Sequence, residues 1–137
     1  MTDKKTTDAF VTESGEGPYA VRIDVSDYTL KGDEPVASGG RGLAPAPYDM
    51  LLAALGECTA MTVRWYAIQQ KWALDKVEVR LTHHKEGRQD IFTKKITLHG
   101  DTLSAEQRAK LIEVAAKCPV QRTLEGTPVI QTSQDGL

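Results

Sequence analysis

The sequence predicts an α+β fold in one domain. Three observations predict it. Apolar and polar residues alternate over residues 19–25, and again over 77–82 and 92–98. A proline-free run rich in Met, Leu and Ala fills residues 48–71. A capping-box pattern, Ser104-Ala105-Glu106-Gln107, opens a second helix near the C-terminal end. Period two marks half-buried strands, whereas a long run of good helix formers marks a helix. Strands, helix, strands, helix and strand in that order give α+β.

Taken in order, residues 1–8 are polar and read as a disordered tail, leaving 9–137 as the domain. Phe10-Val11-Thr12 opens a first strand. Tyr19, Val21, Ile23 and Val25 form the apolar face of the next one. Residues 32–47 are rich in Gly and Pro and read as an ordered loop leading into the long helix. Pro47 suits a first helical turn, where its missing N–H costs nothing, and Asp49 suits the positive end of the helix dipole. A helix over 48–71 would be about 36 Å long at 1.5 Å per residue. Its first half, Met50 to Leu55, is apolar on all sides, which predicts a central, buried helix. The two segments 77–82 and 92–98 read as a β-hairpin with a longish polar loop over 86–90. The pair Lys94-Lys95 reads as solvated strand surface. The capping-box helix must stop at Cys118-Pro119, since proline disfavours the α conformation in the residue before it. Pro119 starts a short helix ending at Gly126, and Val129-Ile130 suggests a last strand.

The chain has 137 residues, 40% hydrophobic and 26% charged, with a formal net charge of −2. That is ordinary usage for one globular domain. The charges are interspersed, so no basic face invites nucleic acid or an anionic membrane. No apolar run approaches the roughly 20 residues of a membrane span, and no signal sequence is visible. The expected compartment is the cytoplasm, where thiols stay reduced.

The chemistry therefore turns on two cysteines, Cys58 and Cys118. Each is either an inert core residue or a reactive one. Cys118, just before Pro119, is placed to cap a short helix, whose N–H groups and dipole favour a thiolate, and Arg122 lies one turn later. Cys58 lies mid-helix in line with Leu51, Leu55, Thr62 and Trp65, and needs a charge partner from elsewhere to react. Glu57 adjoins it but points away round the helix. Adjacent His83 and His84 point to opposite faces of a strand and lack zinc-ligand spacing, so no metal is expected. Gly39, Gly40 and Gly42 match no phosphate-loop pattern. Trp65, Tyr66 and Trp72 read as packing residues.

Residues 47–62, Pro-Tyr-Asp-Met-Leu-Leu-Ala-Ala-Leu-Gly-Glu-Cys-Thr-Ala-Met-Thr, resemble the first-cysteine helix of the OsmC/Ohr family, the osmotically inducible and organic hydroperoxide resistance proteins. Residues 117–125, Lys-Cys-Pro-Val-Gln-Arg-Thr-Leu-Glu, resemble its second-cysteine motif. Asp33-Glu34-Pro35, Gly39-Gly40 and Gly100-Asp101-Thr102-Leu103 resemble segments of the OsmC-like branch. The resemblance spans about residues 10–133. It implies a long central helix wrapped by antiparallel sheets in an intertwined homodimer. It also implies a cysteine-based peroxidase. Cys58 would attack an organic hydroperoxide and become a sulfenic acid; Cys118 would close a disulfide that an external dithiol reduces. No cofactor is implied. In characterised members a glutamate ten residues before the first cysteine pairs with an activating arginine. Tyr48 stands there in this chain, with Asp49 beside it as a possible supporting carboxylate. Arg22 and Arg41 are the arginine candidates. Gln121 stands where histidine often follows Cys-Pro-Val. The alternative on the same fold is a non-catalytic binding protein for a small ligand, or a redox sensor.

Overall fold

The computed structural model describes residues 6–135. Of the expected tail, residues 1–5 lie outside the described residues, while 6–8 are exposed and carry no regular structure. The chain divides into two compact units, one up to Leu51 and one from Leu52.

The first unit carries three strands, β1 (Ala9–Glu13), β2 (Val21–Val25) and β3 (Tyr28–Gly32), in an antiparallel sheet of order β1-β2-β3. β3 is an addition to the sequence reading. It returns from β2 through a tight turn at Ser26-Asp27, with Ser26 at φ 51° and Val25 opposite Tyr28. The loop that follows is ordered, as expected. The buried Asp33 carboxylate accepts backbone N–H groups from Glu34 at 2.8 Å, Leu43 at 3.1 Å and Arg41 at 3.3 Å. A long helix, α1 (Pro47–Gln70), begins at this unit's end with Pro47 in its first turn.

In the second unit, the rest of α1 packs with the hairpin β4 (Lys76–Glu86) and β5 (Gln89–His99) and with helix α2 (Ala105–Ala115). The hairpin strands pair from Lys76↔His99 to Glu86↔Gln89, so the connection is a two-residue turn rather than the longer loop expected. Gly87, at φ +61°, allows it to close so tightly. Val63, Ala67, Leu74, Leu103, Leu111 and Ala115 form the core, flanked by Tyr66, Trp72, Val77, Ile96 and Leu98. Gly56 lets α1 lie close to β4, since a Cβ there would meet Leu81 Cδ1 at 2.6 Å. The capping box on α2 is formed in both directions: Ser104 Oγ accepts from Gln107 N–H, and Gln107 Oε1 accepts from Ser104 N–H. A short helix, α3 (Pro119–Glu125), follows Cys118 and ends at Gly126.

Two expectations need correction. Val129 and Ile130 form no strand; they are 85% and 84% exposed, with no ladder partner among the described residues. Nor is α1 buried on all sides within one chain. One stripe is buried, Leu55, Thr59, Val63 and Ala67, because α2 and the hairpin supply apolar partners on that side only. Met61, Trp65 and Ile68, at helical spacing on another face, are exposed. With Ala60, Arg64 and Val77 they line an open groove of about 410 Å³. The fold is thus α+β, with antiparallel sheets and one long helix. No described helix is long and apolar enough to cross a membrane.

Candidate functional site

Cys58 and Cys118 converge on one spot in the second unit. Cys118 has extended backbone geometry, φ −65° and ψ 146°, as proline after it requires, and so becomes the N-cap of α3. The first N–H groups of a helix have no partner inside it. Here two of them turn to sulfur: Gln121 N–H donates to Cys118 Sγ at 3.4 Å, and Val120 N–H donates to Cys58 Sγ at 3.5 Å. Both cysteines are free thiols. Their surroundings differ, since Cys118 is fully buried and Cys58 only half-buried. Cys58 lies beside the buried stripe, one residue before Thr59, and not in line with its buried members.

Thr59 is fully buried, with its Oγ1 3.5 Å from Cys118 Sγ and 2.7 Å from Leu55 O. The same oxygen accepts a hydrogen bond from Lys94 Nζ at 2.9 Å. Lys94 also donates to Ala115 O at 2.8 Å, which pins the ammonium at the end of α2. The reading of Lys94 as solvated surface is therefore wrong, although its neighbour Lys95 is exposed. Lys94 sits on the half-buried face of β5 with Phe92, Ile96 and Leu98. That alternation was visible in the sequence: a lysine in register with an apolar strand face is the signal that marks it.

Burial pushes the Cys118 thiol up. The hydrogen bonds from Thr59, from the Gln121 N–H and from Cys58, together with the Lys94 charge, outweigh that and hold it below the ordinary thiol range. The cation acting on it is Lys94 rather than Arg122, which lies in the last turn of α3. Burial in turn lowers the pKa of Lys94, opposed by negative charge on Cys118, Cys58 and Glu125. Gln121 donates its side-chain amide to Glu125 at 3.1 Å, while its Oε1 is buried with no partner among the described residues.

The carboxylate and arginine candidates, Asp49, Arg22 and Arg41, serve the first unit. Asp49 caps its own helix, accepting the Ala46 N–H at 2.9 Å. Arg22 pairs with Asp24 at 3.1 Å, and Arg41 donates to Glu16 O at 2.9 Å. His83 bonds Asp90 at 2.9 Å and His84 bonds Glu86 at 3.2 Å. Chemically, the cysteine site offers a half-buried sulfur, a fully buried sulfur held below the ordinary thiol range, and a backbone N–H donor for each.

A family model for OsmC-like proteins matches residues 39–133. No curated protein matches the chain in sequence. Among solved structures, an OsmC-like protein from Mycoplasma pneumoniae superposes with a TM-score of 0.71 at 18% identity, covering 92% of this chain and 90% of that one. The organic hydroperoxide resistance protein OsmC of Legionella pneumophila gives a TM-score of 0.64 at 20% identity, covering 91% and 93%. The organic hydroperoxide resistance protein OhrB of Bacillus subtilis gives 0.62 at 18%, covering 89% and 92%. At these identities the likeness is one of fold.

Proposed function

The chain belongs to the family of OsmC-like proteins, and from that premise we propose that it is a thiol-dependent peroxidase for organic hydroperoxides. The observation that carries the reading is the pair of sulfurs at the start of α3, one half-buried and one fully buried, each accepting a backbone N–H. The organic hydroperoxide resistance proteins of Legionella pneumophila and Bacillus subtilis share the fold and lend support.

Cys58, the less buried of the two, takes the attacking role. Its thiolate attacks the distal oxygen of the hydroperoxide, the O–O bond breaks, and an alcohol leaves with a proton from solvent. Cys58 is then a sulfenic acid. The buried Cys118 is the resolving thiol; its sulfur displaces the sulfenic oxygen, which leaves as water, and a disulfide forms. An external dithiol restores both thiols by exchange, so no bound cofactor enters. Such a cycle suits the reducing cytoplasm. The functional unit is a homodimer, supported by the exposed apolar stripe of Met61, Trp65 and Ile68, which a second copy would cover.

Stopped-flow consumption of cumene hydroperoxide with a dithiol tests the proposal. Cys58→Ser drops turnover to background. Cys118→Ser allows one turnover, after which excess peroxide drives Cys58 on to sulfinic acid, read by mass spectrometry. Equal rates in wild type and both variants would leave a binding or sensing protein with idle cysteines.

A further inference from the structure

We propose that Lys94 and Thr59 are positioning residues that hold the Cys118 sulfur as a thiolate, with the Thr59 hydroxyl turning from Leu55 O to the sulfur as that sulfur loses its proton. This deepens, and rests on, the reading of Cys118 as the resolving thiol.

Thr59 Oγ1 has one hydrogen to donate and two lone pairs to accept with. Three groups compete for them: Leu55 O at 2.7 Å, Lys94 Nζ at 2.9 Å and Cys118 Sγ at 3.5 Å. Lysine can only donate, so Lys94 takes one lone pair in either state. When Cys118 is a thiol, its S–H donates to the second lone pair and the Thr59 hydrogen goes to Leu55 O. When Cys118 is a thiolate it has nothing to donate and needs a donor. The Thr59 hydrogen then turns to the sulfur. Leu55 O gives up this extra bond but remains an acceptor in the helix ladder. Lys94 keeps its bond to Thr59 throughout and polarises the hydroxyl toward the sulfur.

The other groups around Cys118 fit this arrangement. From α1 come Thr59 and Cys58, from β5 Lys94, and from α3 the Gln121 N–H, with the Glu125 charge acting on Lys94. Lys94 is the cation among them, and Ala115 O fixes where it stands. The net effect on the Cys118 thiol is downward despite full burial. In the resolving step the S⁻ of Cys118 forms the S–S bond to Cys58 as the Cys58 S–O bond breaks. The departing hydroxide takes up a proton, equal to the one Cys118 released, and leaves as water. With no thiolate left to bond, the Thr59 hydrogen returns to Leu55 O.

The test titrates Cys118 alone, by the ultraviolet absorbance of its thiolate in a Cys58→Ser background. Thr59→Val, which keeps the shape and removes the hydroxyl, raises the midpoint and leaves about tenfold less thiolate at neutral pH, equivalent to about one pH unit. Lys94→Met moves it the same way, while Thr59→Ser and Lys94→Arg stay near the parent. An unchanged midpoint in Thr59→Val overturns the proposal, whether or not Lys94→Met folds. The titration uses no peroxide, so its result stands apart from turnover. If the parent protein lacks peroxidase activity but the midpoint shifts, the peroxidase reading fails and the hydroxyl switch stays. Where turnover is present, single-turnover kinetics in otherwise wild-type protein separate the steps: Thr59→Val slows disulfide closure while Cys58 oxidation keeps its rate.

Discussion

The two sheets among the described residues are both antiparallel, and they are held in different ways. Along β4, half-buried and exposed residues alternate from Lys76 to His84, and the inward side of the hairpin rests on the core through Val77, Ile96 and Leu98. In the sheet β1-β2-β3 the central strand alone carries such a face, with Val21, Ile23 and Val25 half-buried. All five residues of β1 are exposed, as are four of five in β3. Those outer strands are ordered by backbone ladders to β2, which do not need an apolar face to be satisfied. The difference shows in the cations that each sheet carries. Arg22 on β2 meets Asp24 in water, a pair of little energetic worth. Lys94 on β5 is drawn out of water and fastened to Thr59 and Ala115. A charge can be held in a fixed, partly desolvated position only where packed structure stands behind it. The cysteine site depends on that condition.

Truncating the core behind the hairpin gives the largest effect. Leu111 is fully buried, and Leu111→Ala should cost about 2–5 kcal/mol through lost burial and the cavity left behind. Phe10→Ala on the exposed sheet should fall within about 0.5 kcal/mol. Urea unfolding of both variants checks the pair. Equal losses at all protein concentrations would break the comparison. A Phe10→Ala loss that grows on dilution would sharpen it, by showing that a second copy covers β1.

Next in size is an effect confined to one loop of the first unit. The Leu43 N–H, partly opposed by desolvation and joined by the N–H groups of Glu34 and Arg41, holds Asp33 below the ordinary carboxylate range. A carboxyl depressed on folding stabilises the fold fully above its unfolded value, ordinarily 3.8, and that contribution is lost as pH falls through the depressed one. Hydrogen exchange of the Arg41 and Leu43 amides should therefore quicken, relative to the intrinsic rate, as acid protonates Asp33. Asp33→Asn should show fast exchange already at neutral pH and no acid step. Amides that exchange alike in both proteins would mean that the loop is held by something other than this carboxylate.

The same contrast sets what the sequence makes legible. Elements with an apolar face or a local stop signal are readable: α1 begins with Pro47 in its first turn, α2 carries its capping box, and Cys118 caps α3 because proline follows it. β3 is not readable, since its residues pair through the backbone and present no buried face. Val129 and Ile130 mislead for the reverse reason: β-branched composition suggests a strand, but a strand needs a partner edge. At the site, both cysteines and the capping role of Cys118 are legible. The lysine is harder, because a basic pair normally means solvent, and only its register with Phe92, Ile96 and Leu98 says otherwise. Thr59 is invisible by type; what marks it is its position on the Leu55, Val63 and Ala67 stripe.

The smallest effect separates local order from packing on the hairpin side. Ser104 satisfies an orphan N–H at the start of α2, and Gln107 returns the bond. Ser104→Ala should cost about 1 kcal/mol, within the range for lost N-caps. It removes no core atom, so the loss should be clearly below that of Leu111→Ala and should leave the Cys118 titration in place. The contact that matters for that titration, Lys94 on Ala115 O, lies at the other end of the helix. If Ser104→Ala instead matched Leu111→Ala, the cap rather than burial would hold α2. The lysine would then owe its position to local hydrogen bonding, which is also what holds β1-β2-β3, and the contrast between the two sheets would lose its physical basis.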